Sequence, residues 1–448
     1  MKLGIILLAV VLGAAFFLIF VPNEVEVLPG QGQLPTTSDQ LSAALPSLPE
    51  PIKPTSTGGI ALSNVPKNQL ADIEKQSPLP NPPEIIKGIY ITAWVAGSPS
   101  RMSRIVDLIK RTELNAVVID IKDYSGHVSY RTGISEIAAS GAEGELRILQ
   151  PNVLIKRLHD AGIYVIARQT VFQDPILAAS HPELALRNAS THSTSSGQAS
   201  ETWTDNKGLA WMDPAAKPVW DYNIAIAKDA IARGFDEVNF DYIRFASDGD
   251  LSKIAYPFWD QKSPRTTVIK NFFRYLRENL SGAKISADLF GLTTIDTWDD
   301  LGIGQVIEAA YEYFDYVSPM VYPSHYAKGF IGYQNPADYP YEVVKYSMDK
   351  ALARVSVTKK IVMGTTVVGT TTVEQTEDVP KFTAKLRPWL QDFDLGATYD
   401  AAKVRAQIKA AEDVLADENT GGIYYAGWLL WDPANTYTEG ALLPATGN

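Results

Sequence analysis

Beyond Lys87 the chain alternates short runs of β-branched and aromatic residues with longer stretches whose apolar residues recur every three or four positions. Eight runs have the length and makeup of strands: Gly88–Trp94, Ala116–Lys122, Tyr164–Thr170, Glu237–Phe245, Lys284–Phe290, Tyr316–Tyr322, Ile361–Val367 and Gly422–Trp431. Between them Met102–Arg111, Val153–His159, Trp220–Ala232, Thr267–Leu280, Val343–Ala353 and Ala401–Leu415 carry apolar stripes at helical spacing. Near-continuous apolar strands separated by helix-sized segments predict a closed (β/α)8 TIM barrel, an α/β fold in which both faces of every strand are buried. The rival, an open doubly wound sheet, would place a Gly-rich phosphate turn after the first strand, and none stands there.

Upstream of Lys87 the pattern changes. Leu3–Phe20 is an unbroken apolar run, long enough to cross a bilayer and longer than the apolar region of a usual signal peptide. Lys2 precedes it and Glu24 and Glu26 follow, which places the N-terminus in the cytoplasm. No small-x-small cleavage site follows the run, so residues 1–21 read as an uncleaved signal anchor, with a cleaved signal peptide as the alternative. Either exports the rest, and the first makes the membrane a partner. Residues 22–86, rich in Pro, Ser and Thr, read as a semi-rigid spacer, and 87–448 as the extracytoplasmic domain.

Composition narrows the chemistry. The chain has 448 residues, 46% hydrophobic and 20% charged, enough to bury a large core. A net charge of -11 leaves no basic footprint for nucleic acid. The absence of cysteine excludes disulfides, thiolate zinc sites, iron–sulfur clusters and Cys nucleophiles. Only 5 histidines occur, with no HxH or HxxxH pair. That argues against a zinc hydrolase and against a polysaccharide deacetylase, and no metal or cofactor is expected.

Barrels of this kind carry their chemistry at the C-terminal ends of the strands. Those ends deliver Trp94, then Asp120, Lys122 and Asp123, then Arg168 and Gln169. Asp241 and Arg244, Asp288, Tyr322 and His325, and finally Trp428, Trp431 and Asp432 follow. Charged groups at apolar strand ends are costly unless paired or used. Carboxylates facing aromatic platforms, without a phosphate cradle, suit a cleft for polysaccharide or oligosaccharide. Asp241 leads the candidate catalytic residues, as general acid: it shares the inward face with Asn239, while Phe240 and Tyr242 share the other and give it an apolar setting. Asp288 follows as base, nucleophile or stabiliser, and Asp120 is third. Trp94, Lys122, Arg244, Tyr322, His325, Trp428 and Trp431 are the expected substrate-binding residues, with Arg244 beside Asp241. Asp236 and Glu237 begin their strand at the inert end and read as structural.

The segments KGIYITAW, NAVVIDIKD, FQDPILAASHPELAL, SADLFGLTT, YVSPMVYPSHY, RPWLQDF and GWLLWDPANTY resemble a bacterial glycoside hydrolase barrel family that began as a domain of unknown function. The long stretch from Gly208 to Phe245 does too. The resemblance covers Lys87 to Tyr437 and implies a (β/α)8 fold and glycosidase activity. A bacterial cell-wall, capsular or biofilm polysaccharide is the expected substrate. More distantly, FDEVNFDYI is similar to the strand-four FDGxDxDxE motif of family 18 chitinases, and Met320-Val321-Tyr322 to their Met-x-Tyr. Ile243 stands where that motif has its acid Glu, which removes the mechanism assisted by the substrate's N-acetyl group in its usual form. Similarity to the hydrolase domain of the enzyme acting on partly deacetylated poly-N-acetylglucosamine points again to Asp241. A second reading is a catalytically inactive barrel that binds glycan at the cell surface. The discriminator is whether Asp241 has a carboxylate partner, or Asp288 and Asp120 are both salt-bridged away.

Overall fold

A computed structural model describes residues 71–189, 201–368, 371–417 and 422–445. The apolar run Leu3–Phe20 lies outside the described residues, as does most of the spacer. Among the described residues no helix is long and apolar enough to cross a membrane.

Eight parallel strands close into a barrel: β1 (Ile86–Ile91), β2 (Ala116–Lys122), β3 (Tyr164–Thr170), β4 (Glu237–Asp241), β5 (Ile285–Phe290), β6 (Tyr316–Met320), β7 (Trp389–Gln391) and β8 (Gly427–Trp431). Each pairs with the next in sequence, and β8 pairs with β1 from Ile86 opposite Gly427 to Ile89 opposite Leu430. The predicted fold is therefore observed. Alternation sorts the side chains. Ile86, Tyr90, Val118, Ile166, Leu429 and Trp431 fill the barrel interior, while Ile89, Val117, Val165, Phe240 and Leu430 pack outward against the helices. At the lower end of the interior Arg387 and Glu237 form a fully buried ion pair. Ser286 and Tyr164 hydroxyls donate to the Glu237 carboxylate at 2.5 and 3.3 Å. Glu237 is thus structural, as expected.

Two strand predictions are corrected. Ile361–Val367 is not a barrel strand. It belongs to the strand Thr358–Val368, which pairs antiparallel with Thr371–Pro380 in a two-stranded sheet of its own. Ile361, Val362 and Met363 are exposed there. A β-branched run looks alike in a barrel and in a projecting hairpin, because propensity does not report the partner. The seventh barrel strand is the short Trp389–Gln391 instead. The fourth strand ends at Asp241 rather than Phe245, because Tyr242 turns the chain with φ +54°.

The last part of the expected spacer is bound to the barrel. Asp72 accepts hydrogen bonds from Asn152 N and Val153 N at 2.9 and 3.1 Å, capping the helix Pro151–Asp160. That helix's own N-cap, Gln150, makes no side-chain capping bond and donates instead to Ala71 O at 2.8 Å. Leu79 N donates to Asp236 at 2.6 Å, and Gln76 N to Arg233 O at 3.1 Å. Gly234, at φ +102°, lets this strap approach: a Cβ there would lie 2.6 Å from Gln76 O.

Candidate active site

The inward residues at the upper ends of β1 to β5 converge on one guanidinium. Arg168 Nη1 donates to Asp120 at 2.5 Å, and Nη2 to Asp241 at 2.5 Å. Its Nε lies 3.8 Å from Asp288 Oδ2 and has no hydrogen-bond partner. Tyr90, stacked on Trp431 at 3.8 Å, donates its hydroxyl to the other Asp120 oxygen at 2.5 Å. Arg168 in turn lies over the Trp431 ring, 4.9 Å from its centroid. All three aspartates are buried.

One cation cannot balance three carboxylates, and the shortfall falls on Asp288. Its Oδ1 accepts from Asn239 Nδ2 and Trp389 Nε1, both at 2.8 Å, which leaves Oδ2 with only the distant Arg168. Burial first, then the charge of Asp241, pushes its pKa up to about 8 against Arg168 and those two donors. Asp120 is raised too, chiefly by burial and in spite of Arg168. Asp241 is held on both oxygens, because Tyr242 N donates to Oδ1 at 2.6 Å. That bond depends on the left-handed backbone of Tyr242, a strained conformation of the sort found at functional sites.

Above this cluster stand polar atoms without hydrogen-bond partners among the described residues. The Tyr322 hydroxyl, Trp431 Nε1 and His325 Nε2 are buried and unpaired. The Tyr322 hydroxyl is held protonated by burial and by Asp288 and Asp241. His325 packs edge-on to Tyr322 and Phe393, and burial lowers its pKa to about 4, so it is neutral at neutral pH. Buried hydroxyl, indole and imidazole groups left open beside carboxylates match the donors and acceptors of a sugar ring.

A family model described as a putative glycosyl hydrolase domain, DUF4015, matches residues 88–437. The chain belongs to this family. The DUF4015 match runs from within β1 to the segment after β8 and supports a glycoside hydrolase. No curated protein matches the sequence significantly. Among solved structures, a hypothetical protein from Ruminiclostridium thermocellum ATCC 27405 is 38% identical over 45% of this chain and 96% of its own, with TM-score 0.39. The PgaB (BpsB) glycoside hydrolase domain from Bordetella bronchiseptica is 13% identical, covering 78% of this chain and 94% of its own, with TM-score 0.49.

The DUF4015 barrel brings Asp120, Asp241, Asp288, Tyr322, His325 and Trp431 together at one mouth. Trp94 lies just past β1, in the short helix Ala93–Ala96, with the Arg147 guanidinium 5.2 Å from its ring. Two expected substrate-binding residues are elsewhere. Lys122 is fully buried outside the barrel, 2.8 Å from Asp174 and bonded to Thr170 O at 2.7 Å. The pairing of β2 with β3 skips one residue between Asp120 and Lys122, and that slip turns Lys122 to the outer face. Trp428 also faces outward, 3.4 Å from Glu412, because only alternate residues of β8 face the interior. Arg244 is not the partner of Asp241; Arg168 is. Ile243 is fully buried in the outer core, so the position matched to the chitinase acid does not face the mouth. Asn239, read as sharing the inward face with Asp241, joins the cluster, and Tyr90 and Trp389 complete it without having stood out in the sequence. Trp389 was hidden by the misplaced seventh strand.

Proposed function

We propose that this chain is an exported glycoside hydrolase acting on a bacterial cell-wall, capsular or biofilm polysaccharide. In this reading Asp288, rather than Asp241, is the general acid. It gives its Oδ2 proton to the glycosidic oxygen as the bond to the leaving sugar breaks. Asp241, ion-paired with Arg168, faces the developing positive charge or directs water to it. Asp120 acts through Arg168 as a positioning residue. The observation that carries the reading is the unequal sharing of Arg168: bonded to Asp241, 3.8 Å from Asp288. It leaves Asp288 as the carboxyl that keeps a proton to give, beside a neighbour whose oxygens are already taken by Arg168 and Tyr242 N.

The glycan-binding alternative requires both Asp120 and Asp288 to be salt-bridged away. Both lie within ion-pair distance of Arg168, at 2.5 and 3.8 Å, but inside the cluster rather than away from it, and Asp288 keeps one oxygen free of hydrogen bonds, which favours hydrolysis. The test is a screen of the protein against bacterial polysaccharides for new reducing ends, with Asp288→Asn and Asp241→Asn as controls. Binding without release of reducing ends on any polymer would replace the hydrolase by the binding protein. Export and attachment are assigned to Leu3–Phe20, and fractionation should find the full chain with membranes. A mature N-terminus just after Phe20 would show cleavage instead.

A further inference from the structure

Among the described residues the buried Lys and Arg side chains are Lys122, Arg147, Arg168, Arg233, Arg244 and Arg387. All but one are ion-paired: Lys122 with Asp174, Arg147 with Asp123, Arg168 with Asp120 and Asp241, Arg233 with Asp229, Arg387 with Glu237. Arg244 alone has no carboxylate within ion-pair distance. Its guanidinium sits among the rings of Trp211, Phe290 and Tyr242, at 4.8, 4.8 and 5.3 Å. Nη1 donates to Phe245 O at 3.0 Å and to Ser247 Oγ at 2.9 Å. Nε and Nη2 have no partner among the described residues. Burial lowers its pKa, and Tyr242, Asp248, Asp241 and Asp205 oppose that only through space. A buried cation without a counter-ion is expensive, and such cost persists where a ligand supplies the missing charge.

Position ties this cation to the site. Arg244 follows Asp241 by three residues, and Phe290, which covers one face of it, ends the strand that carries Asp288. We propose that Arg244 receives a carboxylate carried by the bound glycan, so that the substrate is an acidic polysaccharide. The open edge of the guanidinium presents two N–H groups side by side, the geometry that takes a planar carboxylate in two hydrogen bonds. The aromatic rings pack around the guanidinium and hold the fork in place. This inference rests on the glycan reading above, but it is tested separately from catalysis.

The probes are tetra- to hexasaccharides containing uronic acids and the same molecules with their carboxyls reduced to alcohols. Binding is measured by calorimetry on the full chain in detergent, in an Asp288→Asn background that stops turnover. The acidic form should bind at least about tenfold more tightly than the reduced form. Arg244→Met, which keeps the packing stem, should erase that preference. Arg244→Lys, which keeps the charge and loses the fork, should reduce it, and it carries the test should the Met variant fail to fold. Equal affinity for the two forms, or a preference unchanged in the variants, would overturn the inference. So would selective binding of sulfated or phosphorylated glycans. If only reduced glycans are bound, and the parent chain cleaves them, the acidic assignment falls and the hydrolase stands. If neither form binds, the acidic assignment falls, and the hydrolase is decided by the polysaccharide screen.

Discussion

At the residue scale the site is a problem of charge division. Three aspartates share Arg168, and the one it serves least, Asp288, keeps its proton to about pH 8. If Asp288 is the acid, kcat/KM should be sustained below that pH and fall as pH rises through it, because the proton to be donated is lost. Asp288→Asn should lower turnover at least about a hundredfold and abolish that alkaline limb. A variant with near-normal turnover would remove Asp288 from the mechanism. The same shift has a stability consequence. Asp288 is raised in the folded state, so its contribution is complete below about pH 4 and is lost as pH rises through about 8. Melting temperatures of parent and Asp288→Asn should therefore diverge across that window, the parent losing more. Arg168→Met should cost about 3–5 kcal/mol in denaturant unfolding, since it leaves buried carboxylates without their cation. Lys122→Met should also destabilise by about 3–5 kcal/mol, through Asp174, without changing sugar affinity in the protein that remains folded. A selective loss of sugar binding would instead return Lys122 to the cleft.

At the element scale the strap and the hairpin make opposite predictions. The strap supplies a cap to the helix Pro151–Asp160 and two N–H donors to the turn before β4, one to Arg233 O and one to the Asp236 carboxylate. Asp72→Ala should cost about 1 kcal/mol, the worth of a helix cap, read as a shifted denaturation midpoint. A fragment beginning at residue 87 should melt below one beginning at 71. Equal melting points would show that the strap contributes nothing. The hairpin formed by Thr358–Val368 and Thr371–Pro380 pairs only with itself, and Lys381 N donates to Val357 O at 2.8 Å where it leaves the domain. Replacing it with a short Gly-Ser link should leave the barrel's melting temperature within a few degrees. Loss of folding would mean that it supports the barrel after all.

At the scale of the whole molecule, seven of the eight barrel strands were legible in the chain, because strands buried on both faces must be apolar almost throughout. That constraint is local, and a sequence displays it directly. The inward phase of Asn239 and Asp241, and the placing of Asp120, Asp288, Tyr322, His325 and Trp431 at strand ends, follow from the same two-residue period. What the period could not decide is how neighbouring strands align. One skipped residue between β2 and β3 sends Lys122 out of the barrel, and alternation along β8 sends Trp428 out while keeping Trp431 in. The β-branched run Ile361–Val367 has strand propensity but no place in the barrel, whereas three residues around Trp389 do. Above all, the pairing of charges is a property of the closed ring. Asp241 and Arg244 are near neighbours in the chain, yet Asp241 binds Arg168 from the adjacent strand and Arg244 is left without an anion. Sequence set the chemical types available at the mouth; only closure of the barrel decided which carboxyl shares a cation, which keeps a proton and which cation awaits a ligand, because those outcomes depend on distances between residues far apart in the chain.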